Sequence, residues 1–103
     1  MNRFTVQITT EVELSIRDAF YYIQQRSPSN ALKWLVGLYQ AINTLETMPN
    51  RCALIREQDA FDEEVRELLY HSHRIIFTVD EGASEVSVHA FRHSAQDDLR
   101  RDE

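Results

Sequence analysis

The sequence is poor in residues that interrupt regular structure or cross-link a chain. Among 103 residues there are two glycines, two prolines and a single cysteine, Cys52. So few glycines and prolines argue against a disordered or loop-rich chain, and one cysteine excludes an internal disulfide framework. No apolar run has the length of a signal peptide or a membrane span. We therefore expect a cytoplasmic protein, with no membrane association, and Cys52 as a small filler.

Lysine is also scarce, and the charge balance is acidic. Lys33 is the only lysine, every other basic residue is an arginine, and the formal net charge is −6. A protein that holds nucleic acid mainly through phosphates normally carries a basic face. Arginine suits bidentate contacts with carboxylates and with protein interfaces. A protein partner is therefore at least as natural as a nucleic-acid partner.

Apolar periodicity predicts one α+β domain over residues 1–103. Two amphipathic helices separated by Ser27-Pro28 form an antiparallel hairpin, and three later strands with short turns form an antiparallel meander. The hairpin must pack on the sheet, which the first strand joins at an edge or inside it. The predicted elements are a strand at 3–8, a helix from a capping box at Thr10 and Glu13 to about Arg26, a helix from Pro28 to about Met48, and strands at 65–70, 74–79 and 85–91.

Two local features carry further expectations. Gly37 lies inside the second helix, where glycine costs about 1 kcal/mol relative to alanine, so we expect a close helix–helix approach in compensation. Residues 50–64 contain an acidic cluster that predicts a solvated loop without a calcium-binding pattern. His71 and His73 are read as solvated turn residues, and no metal or cofactor site is predicted.

Four blocks of sequence, in this order, resemble the RelE/ParE superfamily of type II toxin–antitoxin toxins, also called plasmid stabilisation proteins. Each block is short, but together they cover most of the chain. Their order and spacing match the superfamily's strand, helix hairpin and meander. The blocks are AFYYIQQRSPSNALKW (19–34), AINTLETMPNRC (41–52), VRELLYHSHRIIFTV (65–79) and VSVHAFRHSAQDDL (86–99).

The resemblance implies one of two toxic activities. RelE-type members are mRNA endoribonucleases that cut messenger RNA in the decoding site of the ribosome, whereas ParE-type members inhibit DNA gyrase. Members of both types are neutralised by a cognate antitoxin whose C-terminal segment wraps the toxin. The expected assembly is a toxin–antitoxin complex, such as a heterotetramer or a larger one. A third alternative is a non-toxic member that retains only antitoxin binding.

Ribonuclease chemistry needs an acid, a base and a cation for the phosphate. His93 is the candidate acid or base because its reference pKa is near neutrality, with His89 four residues before it. Arg66 and Arg74 lie on neighbouring strands and are predicted to face the same side, where they would hold the phosphate. Glu57 and Glu63 are the glutamates that could stand in for a catalytic one.

A structural interpretation of the same residues is the stronger one. Arg66 lies beside Glu64 and Glu67 and would pair with them, and Arg92-His93 would simply end the last strand. Arg74 would pair with an acidic residue near the C-terminal end, at 97 or 98. The acidic chain, the absence of lysine from the stretch just before Val65 and the departure of RHSAQDD from the superfamily's usual ending all weigh against a nuclease.

The sequence therefore favours a ParE-like toxin that acts by protein binding. The groove between the helix hairpin and the sheet is predicted to receive the antitoxin, as an amphipathic helix and an added strand. Arg66, Arg74 and Arg92 are predicted to meet acidic side chains of the antitoxin. Tyr21, Tyr22 and Tyr39 fall off the main apolar stripes. Tyr21 and Tyr22 are assigned to the antitoxin- or target-binding surface, to which Tyr39 could also belong; the alternative is that all three widen the contact between the helices.

Overall fold

The fold is an α+β arrangement of a helical hairpin on a four-stranded sheet, as the sequence predicted. The structure is a computed structural model, and it describes residues 3–96. The predicted C-terminal helical turn and the predicted partners of Arg74 at 97 and 98 lie outside these residues. The elements are β1 (Thr5–Ile8), α1 (Thr10–Arg26), α2 (Pro28–Asn43), β2 (Arg66–Tyr70), β3 (His73–Asp80) and β4 (Glu85–His93), with short 3-10 helices at Thr44–Glu46, Pro49–Arg51 and Gln58–Ala60.

The sheet has the strand order β1-β4-β3-β2. Strands β2, β3 and β4 form the predicted antiparallel meander. Strand β1 lies at the edge and pairs parallel with β4, with Thr5 opposite Glu85 and Ile8 opposite Val88. A parallel pair needs a long crossover, and the helical hairpin occupies part of that connection.

Helix α1 begins one residue earlier than the predicted capping box. Thr9 is the N-cap, and its hydroxyl accepts a hydrogen bond from the Val12 backbone N–H at 3.2 Å. Thr10 is therefore the first helical residue, and the prediction that it caps the helix is wrong. Ser27 precedes α2 with Pro28 at the first helical position, as predicted, although the Ser27 side chain makes no capping hydrogen bond.

The main core lies between the hairpin and one face of the sheet, which we call the inner face. The apolar stripes of both helices are buried there, in keeping with their period of 3.6 residues. The buried side chains include Val12 and Ile16 of α1, Leu38 and Ile42 of α2, Ile75 and Phe77 of β3, and Val86, Val88 and Phe91 of β4.

Gly37 makes room for a side chain from the sheet and not for the other helix. A Cβ atom at Gly37 would collide with the hydroxyl of Tyr70 on β2. That hydroxyl donates a hydrogen bond to the backbone oxygen of Trp34 at 2.7 Å. The expected close helix–helix approach is thus replaced by a helix–sheet approach.

The opposite, outer face of the sheet is partly covered by the 52–64 segment. Ile55 of this segment packs with Val65 and Ile76 in a second buried cluster. The Ile55 N–H donates to the Val65 oxygen at 2.9 Å and the Glu67 N–H to the Ala53 oxygen at 3.0 Å. The prediction of a solvated loop holds for its acidic residues 59 and 62–64 but not for Ile55.

Neither helix within residues 3–96 is long and apolar enough to cross a bilayer.

Candidate binding site

Arg74 lies on the outer face in a nearly buried ion-pair network. Its Nη1 and Nη2 atoms donate to the two carboxylate oxygens of Glu57 at 2.9 and 2.6 Å, and its Nε atom donates to Glu67 at 2.7 Å. The side chains of Arg74 and Glu57 are 3% and 2% exposed. The hydrogen bonds that Arg74 donates to Glu57, reinforced by Glu67, raise the pKa of Arg74 above its ordinary value although burial opposes this.

Such an arginine is not a surface contact. Its guanidinium is bound at three nitrogen atoms by two carboxylates and is shielded from solvent. The expectation that Arg74 meets acidic side chains of a partner, or holds a phosphate, needs a guanidinium that is exposed. The structure instead assigns Arg74 to tying the 52–64 segment to the sheet, and Glu57 to the same buried pair.

Arg66 faces the other side of the sheet. It is next to Glu67, which bonds Arg74, and neighbouring residues of a strand point to opposite faces. Its Nη1 donates to the Cys52 oxygen at 2.6 Å and its Nη2 to Glu64 at 3.1 Å. The predicted pairing with Glu64 is present, whereas the predicted pairing with Glu67 is wrong because Glu67 bonds Arg74 on the opposite face. The prediction that Arg66 and Arg74 face the same side is also wrong.

His93 is separated from both arginines. It lies opposite His73 in the register of β3 and β4, whereas Arg66 lies opposite Phe77, four residues further along β3. At a rise of about 3.3 Å per residue, that offset is about 13 Å. Arg74 lies next to His73 in β3 and points to the outer face. The structure therefore does not bring the three predicted nuclease residues together.

Arg92 lies opposite Arg74 in the β3–β4 register and so shares its outer face. It lines a shallow depression with Glu11 and Ser15 of α1 and with His89 and Gln96. The imidazole of His89 is hydrogen-bonded to the Thr78 hydroxyl at 2.8 Å. Arg92 thus belongs to a different surface from Arg66.

A cleft of about 470 Å³ opens between the helical hairpin and the end of the sheet, at the place where the sequence predicted a partner-binding groove. We call it the histidine cleft. It is lined by Ala19, Tyr22 and Ile23 of α1, Trp34 of α2, His71 and Ser72 of the β2–β3 turn, His73 of β3 and His93 of β4. Sequence reasoning had placed only Tyr22 and His93 among its candidate site residues.

His73 is the floor of the histidine cleft. Its ring stacks on Phe91 with centroids 4.6 Å apart and an interplanar angle of 3°, and Trp34 meets it edge-on at 5.8 Å. Burial lowers the pKa of His73, and the nearby His93 and His71 lower it further. The prediction of two solvated turn histidines is therefore right for His71, which is exposed, and wrong for His73, which is half-buried.

His93 has its hydrogen bonding fixed on one side. Its Nδ1 atom accepts the Ala95 backbone N–H at 3.0 Å, and its own N–H donates to the Gln96 side-chain oxygen at 2.6 Å. The neutral ring consequently carries its proton on Nε2. The ring centroids of His93 and His73 are 5.2 Å apart.

The exposed tyrosines divide between two surfaces. Tyr22 is 58% exposed, lines the histidine cleft, and has the Arg26 guanidinium 4.5 Å above its ring. Tyr21 and Tyr39 are also exposed, and they line a second groove of about 410 Å³ between the two helices. We call this second site the interhelical groove.

In residues 3–96 no three His, Cys, Asp or Glu side chains are grouped so as to hold a metal ion.

Comparison with protein families identifies the class of protein that this fold and surface represent. Residues 6–98 match the family described as ParE toxin of type II toxin–antitoxin system, parDE. That match covers most of the chain, so the protein belongs to the ParE toxin family. None of the curated proteins compared with the chain matches it.

Solved structures show the same fold at low sequence identity. One is a chain of the toxin–antitoxin complex RelBE2 from Mycobacterium tuberculosis, with 18% identity and a TM-score of 0.61, covering 93% of this chain and 97% of that one. Another is a chain of the archaeal RelE–RelB complex from Pyrococcus horikoshii OT3, with 10% identity and a TM-score of 0.58, covering 92% and 99%.

Proposed function

We propose that this protein is a ParE-like toxin that inhibits growth by binding a cellular protein such as DNA gyrase, and that a cognate antitoxin neutralises it. Membership of the ParE toxin family supports the toxin assignment. The observation that carries the mode of action is the state of Arg74, which is buried and bound by two carboxylates.

A nuclease of the predicted kind would need cations placed beside its acid and base. Glu57 and Glu67 already neutralise Arg74, and Arg66 is turned to the other face and bonded to Cys52 and Glu64. His93 would have to act without either of them. A toxin that works by occupying a protein surface needs no such set, and the acidic net charge of −6 also favours a protein target.

The proposed antitoxin contact uses the histidine cleft. Both similar structures are toxin–antitoxin complexes by their descriptions, which supports an antitoxin as the partner here. Tyr22 would contact the antitoxin in the cleft, and Tyr21 in the interhelical groove would contact either the antitoxin or the target. Arg66 and Arg92 are partly exposed and stay in the proposal as contacts outside the cleft.

The proposal is tested by inducing the protein in growing bacteria and following thymidine and methionine incorporation side by side. If DNA synthesis falls first, and purified gyrase loses supercoiling activity in the presence of the protein, the ParE-like action is supported. If protein synthesis falls first and His93→Gln abolishes the effect, the alternative of a ribosome-dependent mRNA endoribonuclease replaces it. If neither falls, the protein retains at most antitoxin binding.

A further inference from the structure

We propose that the histidine cleft is a binding site for a segment that presents a carboxylate next to an apolar side chain, with the carboxylate held by the histidines. The choice of occupant, an acidic-apolar segment of the antitoxin, rests on the proposed function. The chemical class of the ligand rests on the cleft alone. The role of binding an acidic group of the partner, which the sequence analysis gave to arginines, is thereby assigned to the histidines of the cleft.

The apolar part of the site is preformed. Ala19 and Ile23 of α1 and Trp34 of α2 contribute hydrocarbon and indole surface, and Tyr22 stands at the rim with 58% of its surface exposed. A volume of about 470 Å³ lies within the range of about 300–1,000 Å³ that is typical of ligand pockets. The cleft suits one or two anchoring side chains better than a whole helix.

The residues that line the histidine cleft indicate the charge of its ligand. Although the net charge of the chain is −6, none of the described residues that line the cleft is acidic. Three of the four histidines of the chain line it, and the Arg26 guanidinium lies over Tyr22 at the rim. These lining residues offer imidazole groups and no carboxylate, so a carboxylate ligand is favoured and an ammonium group finds no counter-ion.

The hydrogen-bonding state of the histidines fits a carboxylate. His93 accepts the Ala95 N–H at Nδ1, so its Nε2–H is a donor already in the neutral ring. The Nδ1 atom of His73 is buried and has no hydrogen-bond partner among residues 3–96. No acceptor in the described part of the chain therefore fixes a proton on that nitrogen.

Binding of a carboxylate should therefore take up a proton. The titratable groups around His73 are Tyr22 of α1, Tyr70 of β2, His71 of the turn and His93 of β4, and the Arg26 guanidinium lies over the Tyr22 ring. Burial raises the pKa of Tyr70, so it stays neutral below pH 10. In the free protein His93 and His71 oppose the protonation of His73, whereas a bound carboxylate favours its imidazolium form. Affinity should fall as the pH rises, by at most about tenfold per pH unit for one proton.

Small probes test the site without the antitoxin. Trp34 is the only tryptophan of the chain and lines the cleft, so its fluorescence reports occupancy. We would titrate the full-length protein with 3-phenylpropionate and with the neutral isostere 3-phenylpropanamide, at about pH 6 and about pH 8. The carboxylate should bind at least about threefold more tightly at the lower pH, and the amide should bind weakly with no pH dependence.

Matched histidine variants locate the effect. His93→Gln and His71→Gln should each reduce the affinity for 3-phenylpropionate at the lower pH, while His89→Gln, outside the cleft, should leave it unchanged. The proposal would be overturned if the amide bound as tightly as the carboxylate, or if His89→Gln lost as much affinity as the cleft variants. It would also be overturned if no binding were detected, or if the NMR shifts were confined to the interhelical groove. Folding is checked by amide NMR spectra of every variant. Toxicity is measured separately, so loss of the proposed function would leave a positive probe result standing.

Discussion

Glu57 binds Arg74 through both of its carboxylate oxygens, at 2.6 and 2.9 Å, although 17 residues separate them in the chain. The pair fastens the irregular 52–64 segment onto the outer face of the sheet, beside the small cluster of Ile55, Val65 and Ile76. Arg74, which the sequence analysis assigned to partner binding, therefore has a structural role. A guanidinium held in this way is not available for contact with a partner.

Removing one partner of this pair should be strongly destabilising. We expect Glu57→Gln to lower the free energy of unfolding by about 3 kcal/mol, because it removes the charged partner of two of the three hydrogen bonds that a buried guanidinium makes. Glu67 keeps one contact with Arg74, so the loss should not exceed about 5 kcal/mol. Urea unfolding followed by Trp34 fluorescence measures it. The matched control is Glu46→Gln in the exposed pair with Arg3, where a change above about 1 kcal/mol is not expected. Equal effects of the two variants would contradict the assigned role of Arg74.

The sequence predicted the elements well but the faces of the strands poorly, and one turn explains the difference. Reading 71–73 as the turn places Tyr70 opposite Arg74, and hence Arg74 on the same face as Leu68 and Arg66. The observed turn has two residues, with His71 at a positive φ of 51°, so Tyr70 pairs with His73 and Leu69 with Arg74. A shift of one residue moves a side chain to the other face of a sheet.

The same one-residue shift explains why the histidine cleft was not predicted from the sequence. His73 becomes a strand residue opposite His93 and joins its side of the sheet, and neither its stacking on Phe91 nor its contact with Trp34 is a local property of the sequence. The ion pair of Arg74 with Glu57 is likewise set by the path of an irregular segment. Helix stripes, by contrast, depend only on spacing within one element, and those predictions were confirmed by the buried Val12, Ile16, Leu38 and Ile42.

Gly37→Ala should destabilise the protein despite the higher helix propensity of alanine. The new methyl group would displace the Tyr70 hydroxyl and break its hydrogen bond to Trp34. The lost bond and the displaced ring outweigh the gain of about 1 kcal/mol from helix propensity, so we expect a net loss of about 1–2 kcal/mol.

A double-mutant cycle with Tyr70→Phe isolates this contact. In the Tyr70→Phe background the collision with the hydroxyl is gone, and Gly37→Ala should become neutral or stabilising by up to about 1 kcal/mol. Chemical unfolding of the four proteins gives the coupling energy. Additive effects of the two substitutions would show that Gly37 serves some other contact.

The capping assignment gives a comparison between adjacent threonines. Thr9→Ala removes the hydroxyl that accepts the Val12 N–H and should cost about 1 kcal/mol of unfolding free energy. Thr10→Ala lies at the first helical position, where the capping bond does not depend on it, and should change stability by less than about 0.5 kcal/mol. Thermal or urea unfolding ranks the two. The reverse order would restore Thr10 as the cap.

Stability should fall on mild acidification because of His73. Burial and the neighbouring His93 and His71 lower the pKa of His73 in the folded protein, so below the ordinary value of about 6.5 the unfolded chain binds more protons than the folded one. The contribution of His73 is therefore complete above that pH, and it is lost as the pH falls toward the lowered folded value. We expect the urea midpoint to decrease between about pH 7.5 and about pH 5.

His73→Phe should reduce this slope, since a phenyl ring can keep the stacking on Phe91 and does not titrate. His89→Gln, which removes an exposed histidine bonded to Thr78, should leave the slope unchanged. Titration of the imidazole proton resonances by NMR then measures the pKa of His73, which should lie below the ordinary value of about 6.5. A His73 resonance that titrates at or above about 6.5 would mean that the histidine cleft is wetter than its packing on Phe91 and Trp34 indicates, and the slope would then have to come from other groups.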